Sequence, residues 1–232
     1  MTGCHHRGLP WGWLSPGGNR DLWGATGTYQ RVPYDALPPL PERLGVGLAW
    51  LRAAPVPPDP LGVIDTDDPP SVAEFGPRLD RLSAEAQQVG LVVPPTLRPF
   101  MTDPELHGHV PTCTACYIDL PARLIPLPDG TPGRLLRFLN DQQCCRLWYL
   151  HLAPGGGHTV VCALPEWDDD AHGESLEDLV TPRDLVVCAP SLEEFIQRFW
   201  LENTLWYAAH TGRKLTEDER AYSMAAKRAR RA

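Results

Sequence analysis

Two short runs near the middle of the chain constrain its fold more than any other feature. Residues 135–139 (LLRFL) and 145–152 (CRLWYLHL) are apolar on both faces of a pleated strand rather than on alternate positions. Strands of that kind are covered on both sides and sit in the middle of a sheet. The polar residues 140–143 are expected to join them as a hairpin, and Gly155, Gly156 and Gly157 make a turn leading into a further strand over 158–164. Residues 113–120 and 185–188 carry strand character at the two ends. An antiparallel sheet of about four to six strands is expected.

Helical spacing brackets that sheet. Ser71 and Glu74 form a capping box, Pro77 suits the first turn of a restarted helix, and Leu79, Leu82, Ala86 and Val89 share one face before Gly90. A helix over 71–89 follows from this pattern. Pro94 and Pro95 open a short turn or helix carrying Leu97, Phe100 and Met101. After the sheet, Ser191 and Glu194 make a second capping box. Leu192, Phe195, Phe199, Trp206 and Tyr207 give a broad apolar face to a helix over 191–209, with Glu194 and Arg198 paired on its exposed side. Thr216 and Glu219 start a last helix. Helix, antiparallel meander and closing helices together make an α+β fold.

The first 70 residues differ in composition. Twelve prolines and ten glycines fall there, which is typical of irregular chain. Trp11, Trp13, Trp23, Tyr29, Tyr34 and Trp50 lie in the same stretch, and free disordered segments are poor in aromatics. Residues 1–70 therefore read as an irregular arm packed on the body, with one edge strand over 44–50, where Leu44, Val46, Leu48 and Trp50 alternate with small residues. The body is expected over 71–210 and a C-terminal helix over 211–232.

Charge narrows the partners. Four of the 21 basic residues (Lys227, Arg228, Arg230 and Arg231) sit in the last six positions, so residues 1–226 hold 17 cations against 29 acids, a net charge of −12. Such a field repels nucleic acid and attracts basic proteins. The basic end itself complements the dipole of the last helix. Nothing approaches the roughly 20 apolar residues of a membrane helix. No export signal opens the chain, so a cytoplasmic location with reduced thiols is expected, and neither a membrane nor nucleic acid as a direct partner.

Seven cysteines are the main chemical candidates. Cys113 and Cys116 have half the spacing of a zinc site, with His107, His109, Cys144, Cys145, Cys162 and Cys188 as conceivable further ligands. On a regular strand over 113–120 the two thiols would point to opposite faces and share no metal. The expectation is no metal, no cofactor and no catalytic residue. A zinc-stabilised scaffold using Cys113 and Cys116 stands as one alternative. The other is a hydrolase using Cys113, Cys116 or Cys144, although no motif sets a thiol beside an imidazole. The glycine triplet lacks the Lys-Ser/Thr of a phosphate loop, and Asp65, Asp67 and Asp68 lack the later glutamate of a calcium loop. The most suggestive exposed feature is acidic. Asp168, Asp169, Asp170, Glu174, Glu177 and Asp178 fall within eleven residues, a candidate docking surface for a basic partner.

Several segments resemble the SUKH superfamily: Glu85, Gly90, Val93 and Pro95 in AEAQQVGLVVPPTLRPFM, the sheet segment FLNDQQCCRLWYLHL, and the Ser-x-Glu-Glu-Phe helix in CAPSLEEFIQRFWLENTLWY. The resemblance spans roughly residues 71–210. The arm before it has no counterpart, and Asp103 to Gly108 replace the Asn-Gly that often follows the proline-led turn. The resemblance implies a non-enzymatic module of the kind found in immunity proteins, which bind and neutralise a toxin, often a nuclease. It carries no catalytic residue with it. The combined expectation is an immunity-type inhibitor of a basic toxin domain.

Overall fold

A computed structural model describes residues 9–17, 20–23, 27–44, 47–61, 72–127, 132–163 and 185–231. The protein has an α+β fold built around one antiparallel sheet. Strands β3 (Tyr117–Ile118) and β4 (Ile125–Pro126) both pair with β5 (Arg134–Asn140), and β6 (Leu147–Leu152), β7 (His158–Ala163) and β8 (Val186–Ala189) follow in order. In the arm, β1 (Trp13–Pro16) and β2 (Tyr29–Val32) form a separate hairpin, with the short helix α1 (Arg20–Trp23) between them. The both-face apolar runs occupy β5 and β6, in the middle as expected.

Side chains of alternate residues sort to the two faces. Leu136, Phe138, Trp148, Leu150, Val160, Cys162 and Cys188 join the main core, whereas Leu135, Leu147, Tyr149, Val161 and Val187 form a second cluster on the other face. The main core is covered by α2 (Val72–Gln88), α3 (Leu97–Thr102) and α5 (Leu192–Thr211). An aromatic spine ties the layers. Phe138 meets Phe195 edge-on at 5.5 Å, Phe195 stacks on Phe199 at 5.7 Å, and Trp148 touches both at 6.2 and 6.3 Å. Such pairs add to the stabilisation that burial alone provides.

Helix ends follow local chemistry. Gly90 takes φ 73°, its N–H donates to Gln87 O, and Leu91 N donates to Ala86 O, which closes α2 as a Schellman turn. Glu85, one turn earlier, receives Leu124 N at 3.1 Å and so pins the loop before β4. Helix α6 (Glu217–Ala229) starts with a complete capping box between Thr216 and Glu219. At α5 only half a box forms. Ser191 Oγ accepts from Glu194 N, but the Glu194 carboxylate turns to Tyr34 and Arg198. His158 Nε2 accepts the next N–H along, that of Leu192, at 3.3 Å.

Several local expectations fail, each because tertiary contacts override pattern. Leu44 ends a 3-10 turn (Glu42–Leu44), and a second 3-10 turn (Ala49–Ala53) contains Trp50, so no edge strand forms at those positions. The strand expected over 113–120 shrinks to Tyr117–Ile118, since Ala115 at φ 49° breaks the pleat. The link from β5 to β6 is longer than 140–143 and closes through Asp141 N donating to Arg146 O. Pro77 sits inside a continuous α2 rather than restarting it. Arg198 is buried, not on an exposed face. Ser71 lies outside the described residues.

The described part of the arm is built into the core. Trp13, Leu22, Trp23, Leu51 and Leu61 belong to the same cluster as Phe75, Phe138 and Phe199. Gly12 N donates to Val187 O, and Val187 N donates to Pro10 O, which fastens the arm along β8. No helix among the described residues is long and apolar enough to cross a membrane.

Two tests follow. Phe199 is 3% exposed and lies between Phe195 and Trp148, so Phe199→Ala is expected to cost about 3–5 kcal/mol in denaturant unfolding. Burial lowers the pKa of both His107 and His158 from the usual 6.5. The unfolded chain therefore takes up protons that the native state refuses, so stability is full above about pH 6.5 and falls as pH drops toward the depressed native values. Thermal midpoints recorded between pH 7 and 5 should decline, with a shallower slope in His158→Gln.

Candidate functional site

The acidic residues Asp168, Asp169, Asp170, Glu174, Glu177 and Asp178 all lie outside the described residues, as does Cys4. Among the described residues, the densest gathering of reactive groups is at the β3 end of the sheet. Two turns meet there, one holding Cys113, Thr114, Ala115 and Cys116, the other running from Asp141 to Arg146.

Tyr29, brought in by the arm, joins the two turns. Its hydroxyl donates to Asp141 Oδ2 at 2.8 Å and lies 3.0 Å from Thr114 Oγ1 and 3.7 Å from Cys116 Sγ. Asp141 Oδ1 in turn accepts from Cys145 Sγ at 3.0 Å and from Gln143 N at 2.9 Å. Arg146 lies over the Tyr29 ring, 5.3 Å from its centre. Both turns contain a non-glycine residue in the left-handed region, Ala115 at φ 49° and Cys144 at φ 55°. Each such residue carries about 1–2 kcal/mol of strain, which bonds such as Cys116 N to Thr112 Oγ1 at 2.6 Å and Cys144 N to Asp141 O at 2.8 Å offset. Gly17 at φ 72° closes the site from the arm. A Cβ there would overlap Cys113 Sγ and the Trp206 indole, whose Nε1 donates to Gly17 O at 2.7 Å.

Burial pushes three of the thiols in these turns upward: Cys113, also repelled by Cys116; Cys116, to about 11; and Cys145, to about 11 with Asp141 adding to the effect. At pH 7 about one in ten thousand of a thiol with that value is thiolate, too little for a nucleophile. No histidine nitrogen hydrogen-bonds Cys113, Cys116, Cys144 or Cys145 among the described residues. The strand geometry that would have put Cys113 and Cys116 on opposite faces is not present, because both lie in a turn. No group of three or more His, Cys, Asp or Glu side chains is arranged to hold a metal ion among the described residues. What this arrangement does chemically is bond the arm to the sheet through a buried carboxylate.

A second feature is concave. Trp200, Thr204, Tyr207 and Thr211 recur along one face of α5. Residues 55–58 (PVPP) pass over that face as a strap, entered through Ala54 in the polyproline II region (φ −74°, ψ 150°). The strap is tied down at its far end, where Thr112 N donates to Asp59 O at 3.0 Å and Tyr207 OH donates to Asp59 Oδ2 at 2.7 Å. Beneath it remains a cavity of 370 Å³, closed on the third side by the Arg213–Glu219 ion pair. Trp206, grouped by pattern with Phe195 and Phe199, packs instead against Gly17 and stacks on His210.

Compared with known proteins, the chain matches no family model, no curated protein and no solved structure. The sequence singled out Cys113 and Cys116 but not Tyr29, Thr114 or Asp141. Asp141 had a local signal, a turn-forming residue at a strand end. Tyr29 had none, since it lies 112 residues from the carboxylate it meets.

Removing the Tyr29 hydroxyl leaves Asp141 short of a donor in a buried place. Tyr29→Phe is expected to lower unfolding free energy by about 1–3 kcal/mol in a denaturant titration. Alkylation of Cys116 at pH 7, followed by mass spectrometry, should be far slower in the native protein than in the unfolded chain.

Proposed function

We propose that the chain is a non-enzymatic protein-binding module, an immunity-type inhibitor that neutralises a basic toxin domain. The observation that carries this reading is charge: residues 1–226 have a net charge of −12 on a chain of ordinary apolar content. A toxin that degrades nucleic acid needs a positive cleft for phosphate, and an acidic protein can occupy that cleft.

Two further observations support it. Burial raises the pKa of Cys113 and Cys116, which favours a structural role for these two thiols over a nucleophilic one. The order of elements also matches the SUKH-like reading, with a glycine-terminated helix, a proline-led turn into α3, an antiparallel meander, and a helix capped by Ser191. In this reading the acids from Asp168 to Asp178 form part of the contact and steer the encounter.

The test is kinetic. A partner recovered by pull-down should associate faster at low than at high salt, since steering is screened beyond about 8 Å at physiological ionic strength. Asp168→Asn, Asp169→Asn and Asp170→Asn combined should slow association while leaving the thermal midpoint nearly unchanged, because exposed charges add little stability. Rates insensitive to both salt and the triple substitution would remove charge from the mechanism.

A further inference from the structure

The cavity beneath residues 55–58 is used neither by the thiol turns nor by the inhibitor reading. Its roof is stiff. Ala54, Val56 and Pro57 each precede a proline, which biases them to extended backbone, and the proline φ angles are themselves fixed. Both ends of the strap are tied. Ala54 N donates to Leu51 O at 2.9 Å at the near end, and beyond the far end Leu61 N donates to Val110 O at 2.7 Å, next to the Thr112–Asp59 bond. The strap is thereby held off α5, and the 370 Å³ below it stays open. That volume falls in the usual range of small-molecule sites, about 300–1,000 Å³.

Rings make up much of its wall: Pro55, Pro57 and Pro58 from the strap, Pro111 beside it, and Trp200 and Tyr207 from α5. Trp200 is buried and held by an edge-on contact with Trp50 at 5.2 Å. The charged groups lining the cavity answer one another. Arg213 Nη1 and Nη2 donate to the two Glu219 oxygens at 3.1 and 2.9 Å, and Thr216 N donates to the same carboxylate at 2.8 Å. The Tyr207 hydroxyl is already given to Asp59. Two donors remain. Neither Trp200 Nε1 nor Thr204 Oγ1 makes a hydrogen bond among the described residues, and these two lining residues lie one turn apart on one face of α5.

We infer that this cavity is a binding site for a small, neutral aromatic molecule that carries a carbonyl group. The site goes beyond the inhibitor reading and does not depend on it. A flat ring suits a slot between a proline strap and a helix face, because it meets apolar carbon on both sides. An indole N–H can only donate, so the ligand must bring the acceptor. A carbonyl oxygen has two lone pairs and can answer Trp200 and Thr204 together. Charge is selected against. A carboxylate or an ammonium group would give up its water and find Arg213 and Glu219 already bonded to each other. The preset roof also keeps the ordering cost of binding low.

The probe is benzamide, titrated into the nitrogen-15-labelled full chain, with benzoate and benzylammonium as charged counterparts of nearly the same shape. With benzamide, the Trp200 indole N–H and the backbone amides of Val56, Thr204 and Tyr207 should shift together and saturate. Benzoate and benzylammonium should bind at least about tenfold more weakly, since neither charge finds a free partner. Thr204→Val keeps the shape but removes the hydroxyl, and should weaken benzamide roughly threefold to tenfold, the value of one hydrogen bond. Thr204→Phe fills the space and should abolish the shifts, with the rest of the spectrum unchanged as proof of folding. Should that variant not fold, Thr204→Val decides. Shifts that are absent from the cavity or scattered over the surface would overturn the site, as would equal binding of benzoate or full affinity in Thr204→Val. The titration needs no toxin, so its outcome leaves the inhibitor reading where it stands.

Discussion

The structure depends on one buried carboxylate. Glu202, in the middle of α5, has no exposed surface, and it receives the Trp13 indole N–H at 2.8 Å, the Tyr222 hydroxyl at 2.7 Å and the Ser15 hydroxyl. Arg198, one turn earlier, donates to the same Tyr222 oxygen at 2.9 Å and to Pro38 O. A charge taken out of water is tolerated only when its lone pairs are filled by donors, and here the donors come from β1 and α6, while the Pro38 carbonyl accepts from Arg198. The arm, the long helix and the terminal helix are therefore not three attachments to a sheet. They share one satisfied network, and none of them can move away without leaving polar atoms stranded in the core.

That network explains where pattern reading succeeded and where it stopped. The sheet was legible because residues 135–139 and 145–152 are apolar on both faces, which only a central strand accommodates. The ends of α2 and α6 were legible because Gly90 and Thr216 act on the backbone next to them. The α5 box was half right. Ser191 caps as its type dictates, but Glu194 is drawn away by Tyr34, 160 residues distant in sequence. Arg198 misled for the same reason. A charged residue one turn from a glutamate looks like a solvated pair, and nothing local announces that a proline carbonyl and a tyrosine wait for it in the core.

The candidate site shows the same limit. Cys113 and Cys116 attracted attention by spacing, yet the structure makes them part of a turn whose purpose is to meet the arm. The residues that organise the place are Tyr29 and Asp141, each ordinary by itself. Their relation is created by the arm folding back, and an irregular arm has no period from which such a return can be read. The cavity beneath residues 55–58 arises in the same way, from prolines that pattern marks only as irregular.

The two backbone bonds between Val187 and residues 10 and 12 have an implication for handling the protein. Among the described residues strand β8 is the last in the sheet, and without the arm its outer side would present unpaired N–H and C=O groups along an apolar segment. The arm shields that border much as a hem stops cloth from unravelling. Trimming the chain to begin after position 12 would lay the border bare. Copies shortened in this way would then meet edge to edge, and a preparation that should be clear would turn cloudy as it is concentrated.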